Sequence, residues 1–113
     1  MRSSRVIALA AVLAALPATA QETSALDLFV RPDKGHCIAC HRLPSGAGPE
    51  TRADVGPPLE GARMRTLGRE ALREILADAT ARNADTVMPP YGRHHILAAR
   101  EIEQLAEFLH ALP

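Results

Sequence analysis

The residues with the most reactive side chains lie close together in the segment GHCIACHRLP, residues 35–44. Cys37 and Cys40 are the only two cysteines among the 113 residues, and His41 directly follows the second. Positions i, i+3 and i+4 fall on one face of a helical turn. The two thiols and the imidazole can therefore serve one common group, which would be a disulfide, a zinc ion or a haem.

A disulfide and a zinc site suit this pattern less well than a haem does. A bond between Cys37 and Cys40 closes a very small loop, which restrains the unfolded chain little. A thioredoxin-like redox pair belongs in a βαβ unit, which this sequence does not predict. Zinc needs two histidines besides the cysteines, but neither the pair flanking them nor the pair at 94–95 has the spacing of common zinc modules.

The order C-x-x-C-H is the attachment pattern of c-type haem. In this arrangement the thiols of Cys37 and Cys40 add to two vinyl groups, while His41 reaches the iron from the same side. We therefore predict one covalently bound haem c (iron), with His41 as its proximal ligand.

The second axial ligand must come from a distant part of the chain. Met88 is the best candidate because it lies in a proline-stiffened segment, 47 residues after His41. A thioether ligand raises the reduction potential and favours electron transfer. The alternatives are Met64, interpreted as a residue that fills core space, His94 or His95, and an open site that would bind gas ligands.

Weaker signals surround these residues. In the bend GPPLEG at 56–61, a proline carbonyl could accept a hydrogen bond from the free ring nitrogen of His41, although an ordinary proline loop explains the bend as well. Tyr91 could cover the haem edge or pack on the last helix. His36 and His110 are interpreted as surface residues. Four arginines could pair with haem propionates, but exposed arginines are usually solvated, and none is predicted as a site: Arg63, Arg65, Arg69 and Arg93.

Composition excludes some classes of function. The chain has 13 basic and 13 acidic residues, no tryptophan and 3% aromatic residues, so neither a basic stripe nor a stacking surface supports nucleic-acid binding. A short chain so poor in large side chains usually needs a disulfide, metal or cofactor to complete its core. We expect the group held by Cys37 and Cys40 to belong to that core.

The N-terminal segment has the three parts of a secretory signal. Arg2 and Arg5 precede an apolar run over 6–16, and Ala18-Thr19-Ala20 resembles a cleavage site. The run is too short to span a bilayer, although an uncut membrane anchor is the alternative. We therefore expect a signal peptide over 1–20 and a soluble exported domain over 21–113.

The spacing of apolar residues and the positions of glycine and proline predict a small all-α domain with long loops. A short helix is expected within 23–35 and ends at Pro32, and a glycine- and proline-rich loop is expected over 42–63. The next helix is expected over 68–82, followed by a loop over 84–95. The final helix, within 98–113, has the clearest apolar stripe: Ile102, Leu105, Ala106 and Leu109.

Three segments together resemble a known group of proteins. They are CIACH at 37–41, ADVGPPLEG at 53–61 and the stretch from 82 to 112. The combination is similar to class I c-type cytochromes and, more narrowly, to the SoxX family, the small mono-haem subunits of SoxAX complexes in sulfur-oxidising bacteria. The haem motif is generic, whereas N-x-x-T-x-M-P-P-aromatic-G at 83–92, followed by H-x-I-L at 94–97, is more specific.

The resemblance implies a class I cytochrome c fold wrapped around one haem, with attachment at Cys37 and Cys40 and axial ligation by His41 and Met88. It also implies a periplasmic location and a heterodimer with SoxA, whose own haem and cysteine form the catalytic centre. The family's complex couples thiosulfate oxidatively to a cysteine of the SoxYZ carrier, as an L-cysteine S-thiosulfotransferase. One departure is Ala98, where a Ser or Thr is usual before the last helix.

The number of cysteines limits the part that this chain can take in such a reaction. If both form thioethers, no thiol is left to act as nucleophile or sulfur carrier. We therefore expect a non-catalytic subunit that accepts electrons one at a time and passes them to a soluble cytochrome. The alternatives are a free-standing electron shuttle without a dedicated partner and a ligand-sensing haem protein.

Overall fold

The fold, taken from a computed structural model that describes residues 14–18 and 21–113, consists of three helices joined by long loops. They are α1 (Ala25–Val30), α2 (Gly61–Ala77) and α3 (Ala99–His110), and two 3₁₀ turns occur at Cys37–Ala39 and Ala79–Ala81. No β-strand occurs in this part of the chain, so the predicted all-α class is confirmed. None of the helices described there is long and apolar enough to cross a membrane.

Helix α1 is short because a cap and a proline delimit it. The hydroxyl of Ser24 accepts a hydrogen bond of 3.1 Å from the backbone N–H of Asp27, which satisfies one of the unpaired donors of the first turn. The helix ends at Val30, since Pro32 cannot continue it. Its inner face buries Leu28 and Phe29.

Helix α3 forms the centre of the core and packs against both α1 and α2. The four residues of its predicted apolar stripe are all buried, and Phe108 on the same helix lies with its ring centroid 6.2 Å from that of Phe29. At its start the Glu101 carboxylate accepts a 3.0 Å hydrogen bond from the Ala98 N–H, whereas Ala98 has no side-chain acceptor to return the bond.

Helix α2 begins earlier than the sequence predicted, so the loop expected over 42–63 is wrong at its end. The helix starts at Gly61, whose N–H donates to the carbonyl of Pro113 at 3.1 Å, and its first half buries Met64. At Gly68 the backbone has φ 82° and ψ 161°, a conformation that only glycine adopts readily. This kink divides the helix where the sequence predicted that it began.

The same helix also ends earlier than predicted, at Ala77 rather than near residue 82. The reason is a new cap. The Asp78 side chain accepts the N–H of Thr80 at 3.1 Å and starts the 3₁₀ turn, while the Ala77 carbonyl accepts from the N–H groups of Gly92 and Arg93. The loop that carries Met88 is thereby attached to the end of α2.

The predicted signal peptide falls mostly outside the described residues. Residues 1–13 and 19–20 are not described, and residues 14–18 are exposed and have no regular secondary structure. Cleavage after residue 20 stays a prediction.

Candidate haem site

The C-x-x-C-H segment folds into a single tight turn. It begins as a 3₁₀ turn over Cys37–Ala39, where the Cys37 carbonyl accepts from the N–H groups of Cys40 at 3.1 Å and His41 at 2.9 Å. The sequence predicted this arrangement on an α-helical face; the observed turn is tighter but still directs all three side chains into one cavity. Two thiols and one imidazole are thus presented together.

The two thiols differ in their surroundings. Cys37 is buried and Cys40 is half-buried, and neither is paired in a disulfide. Burial raises the pKa of the Cys37 thiol to about 11. A thiol with this pKa stays protonated near neutral pH, and together with Cys40 it would hold a vinyl-bearing cofactor through thioether bonds.

The orientation of the His41 ring is set by the loop that follows. Its Nδ1 lies 2.7 Å from the carbonyl oxygen of Pro57. Because a carbonyl oxygen only accepts hydrogen bonds, Nδ1 carries the proton, and Nε2 keeps its lone pair for a metal. The sequence proposed this bond as one of two interpretations of the bend, and the structure confirms it.

Gly56 completes this support. Its N–H donates to the Cys40 carbonyl at 2.8 Å, and its α-carbon packs against the ring of His41 so closely that a β-carbon there would overlap the imidazole. Only glycine permits this approach. No pattern in the sequence predicted this contact, since a single sequence marks Gly56 only as part of a turn.

Met88 lies in a loop whose own hydrogen bonds close a turn and a bend. Its N–H donates to the Thr86 hydroxyl at 3.2 Å, and the Thr86 N–H donates to the Asn83 carbonyl at 3.1 Å. Pro89 and Pro90 follow and exclude a helix here, as predicted. The Met88 side chain is half-buried and lines the same space as His41.

Two adjoining cavities, of about 170 and 190 Å³, make up what we call the haem cleft. Both are bordered by Cys37, His41, Pro57 and Met88. The remaining walls of the second cavity are largely apolar and come from all three helices and the loop before α2: Phe29, Leu59, Arg63, Met64, Leu67, Leu72, Ile75, Leu76 and Leu109. An apolar cleft with two thiols, an imidazole and a thioether fits a covalently attached macrocycle whose iron takes nitrogen and sulfur ligands.

The alternative distal ligands are placed differently from one another. Met64 is buried and lines the cleft together with Met88, so both thioethers border the same space. His94 and His95 are exposed and do not line either cavity. His36, predicted as a surface residue, is exposed but lies at the edge of the cleft.

The four arginines considered as partners of the haem propionates have different surroundings in the structure. Arg63 lines the cleft, whereas Arg69 is exposed beyond the kink. Arg65 donates to the Leu112 carbonyl at 2.7 Å, and Arg93 pairs with Asp78 at 3.5 Å.

Two exposed valines at the cleft were not singled out by sequence reasoning. Val55 and Val87, with 63% and 78% of their surfaces exposed, both line the first cavity. Val55 directly precedes Gly56, which packs on His41, and Val87 directly precedes Met88. The cleft therefore opens between two apolar side chains, and no pattern in the sequence distinguishes them from buried valines.

An all-α domain in which a C-x-x-C-H turn and a distant methionine line one apolar cleft is a c-type cytochrome, an electron-transfer protein that carries covalently bound haem. The chain belongs to the family described as "Cytochrome C oxidase, cbb3-type, subunit III", which matches residues 25–109. Among solved structures it is similar to SoxXA from P. pantotrophus, with a TM-score of 0.66, 25% sequence identity and coverage of 77% of each chain. A search of curated proteins found no match. The predicted resemblance to SoxX-like cytochromes and the predicted cytochrome c fold are confirmed.

Proposed function

We propose that the chain holds one haem c through thioethers at Cys37 and Cys40, with His41 and Met88 as its axial ligands. The observation that supports this site is that all four side chains border one cleft with apolar walls. When bound, the haem supplies one-electron oxidation and reduction. The protein's residues fix its position and its potential.

The residues around the ligands each contribute to that potential. The Pro57 carbonyl keeps the hydrogen of the His41 ring on Nδ1 and makes Nε2 a stronger electron-pair ligand for the iron. The Met88 thioether favours the reduced state. Leucine and phenylalanine side chains exclude water from the cleft, and a low dielectric disfavours the additional positive charge of the oxidised state.

We further propose that this electron carrier is the SoxX-like subunit of a SoxAX-type complex, paired with a SoxA-like haem subunit. The support is the similarity to SoxXA over 77% of each chain. In the proposed reaction, a sulfur–sulfur bond forms between thiosulfate and a cysteine of a SoxYZ-like carrier. The carrier's thiol loses its proton, and two electrons are released.

Those electrons leave one at a time through this chain to a soluble acceptor cytochrome. With both cysteines bound to haem, the chain has no thiol to take part in the coupling step, so catalysis of that step falls to the SoxA-like partner. We place the mature domain, 21–113, in the periplasm after removal of residues 1–20.

The exposed Val55 and Val87 favour an electron-transfer subunit bound to a partner over a free-standing shuttle, because they offer apolar surface at the cleft for contact with that partner.

The test uses the mature haem protein, a SoxA-type partner and a SoxYZ-type carrier with its acceptor cysteine. Mass spectrometry follows the thiosulfate adduct on the carrier, and visible absorption follows reduction of this chain. We expect adduct and reduction only when the partner is present. An adduct formed by this chain alone would overturn the proposal, and so would failure of the two haem subunits to form a complex.

A pair of variants locates the contact with the partner. Val87→Asp places a charge at the cleft opening and is expected to weaken the complex, whereas Ile96→Asp is the control. Ile96 is also exposed, at 39%, but does not line the cleft. Equal effects of the two substitutions would contradict a contact centred on the cleft.

A further inference from the structure

The side chain of Tyr91 joins the two segments that carry the proposed haem ligands. Its hydroxyl donates a hydrogen bond of 2.7 Å to the carbonyl of Gly35, and the residue is 6% exposed. Tyr91 lies three residues after Met88, and Gly35 lies two residues before Cys37. One buried hydrogen bond therefore connects the distal loop with the haem-attachment segment.

Both ends of this bond are held in place by the backbone. The Tyr91 carbonyl accepts from the N–H groups of Ile96 at 2.9 Å and Leu97 at 3.1 Å, which close the loop on the C-terminal side. The Gly35 N–H donates to the Leu28 carbonyl of α1 at 3.0 Å. A displacement of either segment is thus transmitted to the other rather than absorbed locally.

The environment makes this bond hard to replace. Gly35 is buried, so its carbonyl has little access to water once the phenol is removed. The Tyr91 ring also lines the haem cleft beside Cys37 and Met88. When this hydrogen bond breaks, the phenol and the carbonyl both stay shielded from water. The loss therefore costs more free energy than the loss of an exposed hydrogen bond.

We propose that Tyr91 is a positioning residue that holds the Met88 loop against the haem-attachment segment and so keeps the thioether on the iron. This inference rests on the proposed ligand pair of His41 and Met88. For Met88 to leave the iron, its loop must move away from the cleft. The bond from Tyr91 to Gly35 resists that motion, so its loss makes Met88 easier to displace.

The test is displacement of Met88 by added imidazole in the oxidised protein. The displacement is monitored as the loss of the weak far-red absorption band that a methionine sulfur gives on ferric haem. Tyr91→Phe keeps the ring and removes only the hydroxyl. We expect imidazole to bind about tenfold more tightly to this variant, the effect of losing one buried hydrogen bond.

Lys34→Met is the matched control. Lys34 pairs with Glu101 at 2.6 Å and ties the same attachment segment to the start of α3, but it does not join it to the Met88 loop. We expect this variant to lower the melting temperature and to leave the imidazole affinity unchanged. An equal gain in affinity in both variants would mean general loosening and would overturn the proposal.

A second measurement avoids substitution altogether. Tyr91 is the only tyrosine of the chain, so biosynthetic incorporation of fluorotyrosine labels this position alone. The more acidic phenol is a stronger donor, and we expect imidazole to bind several-fold more weakly, the opposite direction to Tyr91→Phe. Unchanged imidazole affinity in both the Tyr91→Phe variant and the fluorotyrosine protein refutes the positioning role. A wild-type protein without the far-red band would instead refute the Met88 assignment, and the role of Tyr91 with it.

Discussion

The carbonyl oxygen of Pro57 lies 2.7 Å from Nδ1 of His41. This one bond selects the tautomer of the imidazole and directs Nε2 toward the cleft. The backbone just before it, at Gly56, lies against the face of the same ring. Two consecutive residues thus fix both the tautomer and the plane of the proposed proximal ligand.

Gly56→Ala is expected to disturb that arrangement strongly. The new β-carbon overlaps the imidazole, so either the ring or the loop must shift, at a cost of about 1–3 kcal/mol. Thermal unfolding of the haem protein should show the loss, and the reduction potential should change because the His41–iron bond is altered. Pro58→Ala is the control, since Pro58 is exposed and does not line the haem cleft; comparable losses in both variants would argue against a specific contact at Gly56.

Replacement of each methionine separately tests the distal ligand. Met88→Leu should abolish the far-red band, lower the reduction potential and allow the reduced protein to bind carbon monoxide. Met64→Leu should keep the band and cost less than about 1.5 kcal/mol, as expected for a near-isosteric core change. Loss of the band only in the Met64 variant would exchange the roles of the two residues.

Arg63 should tune the potential through its charge. It is the arginine that lines the cleft, and a cation there favours the reduced state. Arg63→Gln should lower the potential by about 40 mV for each 1 kcal/mol of interaction lost in a one-electron couple. Arg69→Gln, beyond the kink and outside the cleft, should leave the potential nearly unchanged; redox titration of both proteins decides between a specific effect and a general effect of net charge.

The ion pair between Lys34 and Glu101 should make stability depend on pH. The hydrogen bond from Lys34 is the main reason that the pKa of Glu101 is lowered. A lowered carboxyl pKa stabilises the fold at pH values above the ordinary glutamate pKa of about 4.3, and this contribution is lost as the pH falls through the lowered value. The wild type should therefore exceed Glu101→Gln by up to about 1 kcal/mol at neutral pH.

That difference should disappear in acid. Glu107→Gln provides the control, because Glu107 is exposed on the same helix. Urea unfolding from neutral to acidic pH measures both variants against the wild type. A Glu101→Gln deficit that persists at low pH would mean that the carboxylate charge is not what stabilises the fold.

Local patterns predicted the parts of the site that depend on local geometry. The C-x-x-C-H turn, the buried stripe of α3 and the proline carbonyl beside His41 all follow from spacing and residue type. The first half of α2 was missed because its glycines at both ends indicate a loop, whereas the burial of Met64 in the core is a tertiary contact that local patterns do not show. The contact of Gly56 with His41 and the bond from Tyr91 to Gly35 join residues 15 and 56 positions apart, and a single sequence carries no signal for either.

The burial of Cys37 bears on how the mature protein is made. In the finished fold this residue is 8% exposed, while Cys40 and the rest of the turn are more open. If the proposed thioethers form, both sulfurs must be reached, and the folded chain restricts access to one of them. Burial of Cys37 therefore favours attachment before the fold closes around this residue.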